Sequence, residues 1–333
     1  MTKLFVQRYL QKNYSLDMVT LENVEEKEAK WLITDYIPRY QITTLVGDGG
    51  SRKTSIWCSI MAAVTNGTRC FMLEGDLVPK DFAECEGETV MFFSAEDSFE
   101  YVLKRKLRKS GANLKNILTI DISDDRFQDI KFNSPLFEQL IDRYRPALVV
   151  LDPIQAFVPP NIQMGQRNAM RDCLSPLVGY GEKYGTTFLI VVHSNKQSGI
   201  WGRKRIADSA DIWDISRSVL MAGETNESGV RYLSHEKSNY GMTSDTVLYT
   251  IEDEIVKFVD YTTKKDKDFV TEVDYNTKQR PQKDEAKEFI LDFLKDGEKE
   301  VEEINSTAKV MSISTNSIKN AKAELKREGK ISK

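Results

Sequence analysis

Three glycines, a lysine and two hydroxyl side chains share one eight-residue stretch: Gly47, Asp48, Gly49, Gly50, Ser51, Arg52, Lys53 and Thr54. Glycines let a backbone turn so that successive N–H groups point at one centre, which is what phosphate oxygens require. In such a loop Lys53 reaches the β- and γ-phosphates and Thr54 offers its hydroxyl to Mg²⁺. The stretch follows the β-rich run ITTLVG and opens a helix-forming segment, the strand–loop–helix context that a phosphate loop needs. One position departs from G-x-x-x-x-G-K-[ST]: Arg52 stands where glycine usually precedes the lysine. An arginine fits there with a negative φ, pointing outward or adding a further positive charge. ATP with Mg²⁺ is therefore the expected ligand, and a plain glycine-rich turn is the alternative.

Other chemistry-bearing residues stand at the ends of apolar runs. Asp152 closes ALVVLD at the C-terminal end of an expected central strand, where α/β folds collect ligands. It suits the magnesium side of the site, or a strand-ending Asp-Pro turn. Glu96 follows TVMFFSA and emerges on the same edge. A carboxylate there orients and deprotonates an attacking water. Asp97 is its neighbouring alternative, and either residue can instead cap the helix that begins near Ser98. His193 closes TFLIVVH, beside the γ-phosphate or as a strand-end filler.

The elements that must position these residues follow from periodicity. From Gln41 onward, short apolar runs alternate with helical stretches, as buried parallel strands alternate with covering helices. The pattern is that of a doubly wound α/β domain. After Arg217, RSVLMA, VRYLSHE, TVLYTI and EIVKFVD are closely spaced and separated by turn residues, which fits an antiparallel extension of the sheet. Residues 262–282 are polar and short of aliphatics, as a linker would be. Beyond them three short helices end near Glu328, the outline of a helix-turn-helix or winged-helix module. The expected organisation is an N-terminal segment 1–30, an ATPase domain 31–261, a linker 262–282 and a helical domain 283–333.

With these strand-end residues in order, residues 31–260 resemble the RecA-like superfamily, and more closely the plasmid RepA-type hexameric replicative helicases and their phage relatives. WLITDYIPRYQITTLVGDGGSRKT, FFSAEDSFEYVLKRKL, LVVLDPIQAF, VVHSNK and DSADIWDISRSVLM followed by EKSNYG carry the resemblance. It implies a ring-forming, hexameric architecture in which Glu96 is the catalytic glutamate, Asp152 the magnesium-side carboxylate and His193 the sensor. Arg217 would be the arginine finger given to the next subunit's nucleotide, or else a solvent-facing arginine. Lys237 would be a second cation of that kind. A finger supplied in trans couples hydrolysis to assembly, because charge on the γ-phosphate is neutralised only when the neighbour is seated.

Two loops on the ligand edge, VPPNIQMGQRNAMR and SNKQSGIWGRKRIAD, are candidates for nucleic acid. The second sets Lys196, Arg203, Lys204 and Arg205 beside Trp201. Cations next to an aromatic suit a single-stranded backbone and its bases, although charged loops are also often merely solvated. The C-terminal module is polarised: residues 283–303 hold four basic and nine acidic residues, whereas 315–333 hold six basic and two acidic. Lys319, Lys322, Lys326 and Arg327 recur at helical spacing to meet phosphates, with Thr315, Asn316 and Ser317 at the helix start near base edges. A protein-binding winged helix is the alternative.

Composition narrows the rest. A chain of 333 residues, 40% hydrophobic and 29% charged with net charge −4, is an ordinary globular protein and not a wholly basic nucleic-acid coat. His193 and His235 are its only histidines, which excludes a multi-histidine metal centre and leaves little for a hydrolase triad. Cys58, Cys70, Cys85 and Cys173 form no C-x-x-C pair and are expected as reduced thiols. The start lacks a signal-peptide core and the longest apolar run, 188–192, is too short for a bilayer, so a cytoplasmic protein without a membrane partner is expected. The function expected is an ATP-dependent, oligomeric DNA helicase or translocase of phage or mobile-element replication. The alternative is a DNA-binding regulator or loader with a nucleotide switch. A small-molecule kinase is disfavoured by the lack of an evident lid or acceptor-binding segment.

Overall fold

The computed structural model describes residues 19–74, 86–166, 168–195, 200–206, 210–294, 299–310 and 313–331, with side chains throughout except at 274–285, 309 and 310. The chain divides into two units, 1–30 and 31–333. In the described part of the first, one 3₁₀ turn, Leu21–Asn23, is closed by the Asn23 side-chain amide donating to the Thr20 hydroxyl at 2.8 Å.

The second unit is built on a nine-stranded sheet, with a two-stranded ribbon of β1 (Trp31–Ile33) and β2 (Ile37–Pro38) beside it. Its strands in chain order are β3 (Ile42–Gly47), β4 (Val90–Ser94), β5 (Ile117–Leu118), β6 (Leu148–Asp152), β7 (Thr187–His193), β8 (Ser218–Glu224), β9 (Arg231–Ser238), β10 (Thr246–Glu252) and β11 (Ile255–Thr262). Their spatial order is β11-β10-β9-β8-β3-β7-β6-β4-β5. The six strands from β8 to β5 are parallel, and β9, β10 and β11 extend the sheet in antiparallel fashion, as the spacing after Arg217 predicted.

Side chains of a strand alternate between faces, so each apolar run feeds two cores. Leu148 and Val150 of β6 join Leu45, Leu189 and Val191 in the core that covers one face. There α1 (Lys53–Asn66) contributes Ile56, Trp57 and Ile60. Val149 and Leu151 face the other way, with Val46, Ile190 and Val192. That side is covered by α3 (Pro135–Tyr144) through Phe137 and Ile141 and by α4 (Ala169–Tyr184) through Leu174 and Leu177. Two short helices complete the domain, α2 (Lys104–Lys109) and α5 (Ala210–Ile215). The large, mostly parallel sheet lies between helical layers, as the expected doubly wound pattern requires. The expected strand LTID is shorter than its apolar run, with only Ile117 and Leu118 paired to β4.

Most of the expected linker is helical. A continuous helix, α6 (Asp266–Phe293), runs through it. Its start is anchored by a local cap and by tertiary packing that polarity alone does not reveal. The Lys265 N–H donates to Asp268 at 2.9 Å, and Phe269 is buried in a stack on Tyr232 with ring centroids 4.2 Å apart. Such an anchor offsets the cost of starting a helix in a segment of low intrinsic helix propensity. Two further helices follow, α7 (Val301–Val310) and α8 (Thr315–Arg327), the latter capped by Ser314, whose hydroxyl accepts the Ser317 N–H at 3.1 Å. They pack on the end of α6 around Ala286, Ile290, Ile304, Ala308, Ile318, Ala321 and Leu325, a core separate from those of the sheet. Among the described residues no helix is long and apolar enough to cross a membrane. Cys58, Cys70 and Cys173 are buried free thiols, while Cys85 lies outside the described residues.

Within β9, His235 is fully buried and tilted against Tyr36, with ring centroids 5.5 Å apart. Its Nδ1 accepts the Ser244 N–H at 3.1 Å and its Nε2 lies 3.2 Å from the Ser218 hydroxyl, which itself donates to the Tyr36 carbonyl. This set of partners suits the neutral ring, and burial pushes the imidazole from 6.5 down to about 4. Because the unfolded chain binds this proton first as pH falls, the stability contributed is complete above pH 6.5 and lost as pH drops to about 4. The loss is on the order of 3 kcal/mol. Urea unfolding of the wild type and of His235→Asn at pH 7 and pH 4.5 should show a flatter pH dependence in the variant; equal slopes would assign the acid sensitivity elsewhere.

Candidate nucleotide site

Register brings the chemistry to one edge. Parallel pairing sets Gly47 beside His193 on one side and Ala222 on the other, and Ser94 beside Asp152. The residues that follow these strand ends share the carboxyl edge of the sheet, where an open α/β fold binds its ligand.

The loop leaves β3 at Gly47, where a Cβ would lie 2.5 Å from the Ser51 hydroxyl and 2.8 Å from the Ala222 carbonyl. Only glycine passes that point. At Gly49 and Gly50, both exposed, a Cβ would meet nothing within 4 Å, so these two positions face open space. Arg52 departs from expectation: its φ is +65°, not negative. The turn into α1 demands a left-handed residue directly before Lys53, and its carbonyl accepts the Ser55 and Ile56 N–H groups at 2.9 and 3.2 Å. The arginine takes the conformation glycine usually supplies and carries its strain, with its side chain exposed.

Lys53 is buried and folded back on its own loop, its Nζ donating to the Gly47 carbonyl at 2.7 Å and the Asp48 carbonyl at 2.9 Å. Burial lowers its pKa, against the opposing pull of Asp152, Glu96 and Asp48. The Ser51 hydroxyl is buried with no partner among the described residues, an orphaned donor inside the loop. Asp152 is 5% exposed and accepts the Trp57 indole N–H on Oδ2 at 2.8 Å. Burial pushes its carboxyl up to about 6, with the indole bond pulling the other way. Glu96 is exposed, and its Oε1 lies 2.9 Å from His193 Nε2, so the expected base and sensor are partners. The alternative cap is excluded: the Ser98 hydroxyl accepts the Tyr101 N–H at 3.4 Å and Asp97 pairs with Lys106 at 3.6 Å. Thr54, half-buried at the start of α1, and Asp152 offer a hydroxyl and a carboxylate, oxygen donors of the kind Mg²⁺ takes. The orphaned Ser51 hydroxyl likewise suits phosphate.

Two expected residues lie elsewhere in this chain. The Arg217 N–H donates to the Ile42 carbonyl at 2.8 Å, which places Arg217 at the amino edge of the sheet. With a rise of about 3.3 Å per residue, β3 separates it from the loop by roughly 16 Å. Lys237 pairs with Val219 on the same edge, and its Nζ donates to the Trp213 and Asp214 carbonyls at 2.8 and 3.2 Å.

Arg205, expected among the DNA-facing cations, is instead buried. One guanidinium nitrogen pairs with Asp266 and donates to the Tyr232 hydroxyl at 3.0 Å; the other reaches Asp48 of the phosphate loop at 3.1 Å. Asp48 also accepts from the Ser194 hydroxyl. Burial opposes the guanidinium charge, but Asp266, Tyr232 and Asp48 outweigh it and raise the pKa. A chain of polar contacts thus joins the loop to the first residue of α6. Sequence spacing could not show it, because Asp266 sits in the segment expected as linker; Trp57, equally, reads as a core residue of an apolar helix. Of the other loop cations, Arg203 pairs with Asp214 at 2.6 Å, Lys204 is exposed, and Lys196 lies outside the described residues.

Fold and loop together define a P-loop nucleotide-binding core. Residues 11–199 match the AAA domain family, more than half of the chain, and the chain belongs to that family. Among solved structures it is similar to a crystal structure of the RadB recombinase, with 14% identity over 68% of this chain and 93% of that one and a TM-score of 0.46. No curated protein matches it.

Removing one member of a buried ion pair strands the other. Arg205→Met should therefore destabilise the fold by about 3 kcal/mol, and Asp48→Asn, at the exposed end, by under about 1 kcal/mol. Arg52→Gly, which relieves the left-handed strain, should stabilise by about 1 kcal/mol. Denaturant midpoints with unchanged slopes check all three variants, and equal losses for Arg205→Met and Asp48→Asn would contradict the assigned burial.

Proposed function

We propose that the protein is an ATP- and Mg²⁺-dependent ATPase acting on DNA, a ring-forming helicase or translocase of RepA type. The observation that carries the ATPase reading is the convergence of Lys53, Asp152 and the Glu96–His193 pair on one sheet edge around the glycine loop. In this mechanism Lys53 leaves the Gly47 and Asp48 carbonyls and turns to the β- and γ-phosphates, and the Ser51 hydroxyl gains its missing partner. Thr54 and Asp152 would hold Mg²⁺, which would supply charge neutralisation at the phosphates. Glu96 orients the attacking water and accepts its proton; His193 holds the carboxylate and senses its change of charge. Arg217, remote from its own loop, is placed to serve the site of a neighbouring subunit, and Lys237, opposite Val219, lies close enough to feel its charge. A hexamer is the assembly this reading favours.

The C-terminal helices supply the second contact with DNA. α8 exposes Lys319, Lys326 and Arg327, with Lys322 half-buried, and presents Thr315 and Asn316 at its start. Such a face suits phosphate contacts along the helix and base edges at its amino end, the use made of a helix-turn-helix module. Exposed Lys204 and Trp201 suit single-stranded DNA in the pore of a ring.

A second reading has a specific observation in its favour. Arg52 strains the loop and Lys53 satisfies the loop's own carbonyls, both of which suit a nucleotide switch in a DNA-binding regulator or loader with little turnover. ATP hydrolysis with and without single-stranded DNA separates the two. The motor reading expects turnover stimulated by DNA and reduced at least 100-fold in Lys53→Ala and in Glu96→Gln. ATP binding without turnover in the wild type would leave the switch.

A further inference from the structure

The buried contact between Trp57 and Asp152 does more than satisfy an indole. Trp57 stands one turn beyond Lys53 and Thr54 on α1, fully buried, its ring tilted on Phe92 with centroids 5.6 Å apart. A buried tryptophan needs a partner for its N–H, and a backbone carbonyl would serve. Here the partner is the carboxylate at the end of β6, two strands away from the strand that feeds the loop. The bond therefore ties the helix opened by the phosphate loop to the acidic strand end.

Two consequences follow. Oδ2 of Asp152 is committed to the indole, which fixes the plane of the carboxylate and leaves Oδ1 to face a cation or its water. Thr54 and Trp57 also share one helix across a single turn, so the hydroxyl that approaches the cation and the indole that aims the carboxylate move as one body. Partners of this kind orient ligands and tune their affinity for metal without touching it.

We infer that Trp57 is a positioning residue for the cation half of the site: its indole N–H holds Asp152 so that the free carboxylate oxygen and the Thr54 hydroxyl form a preset pair of donors for a divalent cation. The inference rests on the nucleotide-site reading above. It concerns neither hydrolysis nor DNA.

Equilibrium binding of a fluorescent ATP analogue to the full chain, titrated with Mg²⁺ or held in EDTA, tests it. In Trp57→Phe, which keeps a ring against Phe92 and removes the donor, the Mg²⁺ concentration for half-maximal enhancement of binding should rise about 10- to 100-fold. Affinity in EDTA should stay at the wild-type value, which a general loosening of the loop would not allow. Should Trp57→Phe fail to fold, benzothienylalanine placed at position 57 keeps the shape of the indole and replaces only the N–H with sulfur, and the same shift is expected. An unchanged Mg²⁺ requirement in a folded variant, or an equal loss with and without Mg²⁺, overturns the positioning role while leaving the nucleotide site intact. A wild-type chain that binds no nucleotide under either condition overturns the site reading itself, and the positioning role with it.

Discussion

Taking the Asp152 carboxylate out of water costs several kcal/mol unless other groups replace the lost hydration. The constraint explains why the surroundings of β6 are arranged as they are. Asp152 cannot retreat, because its strand is buried along its whole length and paired on both sides. It must be compensated in place, by an indole N–H from α1 and by the nearby charge of Lys53. Both come from the same helix, so the packing of α1 on the sheet and the electrostatics of the site are one requirement. A shift of α1 by half a turn would bury an uncompensated carboxylate as well as opening the core around Trp57 and Ile60.

A second buried charge extends the same logic beyond the sheet. Arg205 is held by Asp266 and Tyr232, and Tyr232 is in turn covered by Phe269. Desolvated groups tolerate little displacement, since each lost contact leaves a polar atom without a partner. The start of α6 is therefore as firmly placed as the strands, although it stands in a stretch of lysines and aspartates. Its other end carries the small core of Ile290, Ile304, Ile318 and Leu325. The contacts from Asp48 through Arg205 to Asp266 make α6 a part of the nucleotide-site domain at its start and of the helical module at its end.

How far the sequence announced this depends on the range of the interaction concerned. β3, β6 and β7 were legible because continuous apolar runs ending in Gly47, Asp152 and His193 describe strands covered on both faces, and the candidate site residues sit at their ends. The helical cluster at the C-terminus was legible from local periodicity in the same way. The linker was misread because helix formation there depends on Phe269 and Asp266 meeting Tyr232 and Arg205, partners more than thirty residues away. Arg205 was misassigned for the complementary reason: within its own loop it is one cation among several, and only the distant Asp266 withdraws it from solvent. Arg52 was identified as the odd residue of the loop, but its conformation follows from the closure of the loop on α1 and not from its side chain.

The state of the loop bears on what nucleotide affinity measures in this protein. Lys53 satisfies two carbonyls of its own loop, and Asp48 is a carboxylate held at the loop by Ser194 and Arg205. An incoming phosphate meets a lysine already bonded and an anion close by. Binding is then an exchange in which neutral carbonyl contacts of Lys53 are replaced by charge-assisted contacts with phosphate, which are roughly twice as strong. The gain is the difference between the two, reduced by repulsion from Asp48 and by whatever strain Arg52 retains in its left-handed conformation. An affinity set by such a difference responds strongly to small changes at its edges. Asp48 is one of those edges, and it is the residue through which Arg205 and α6 touch the loop.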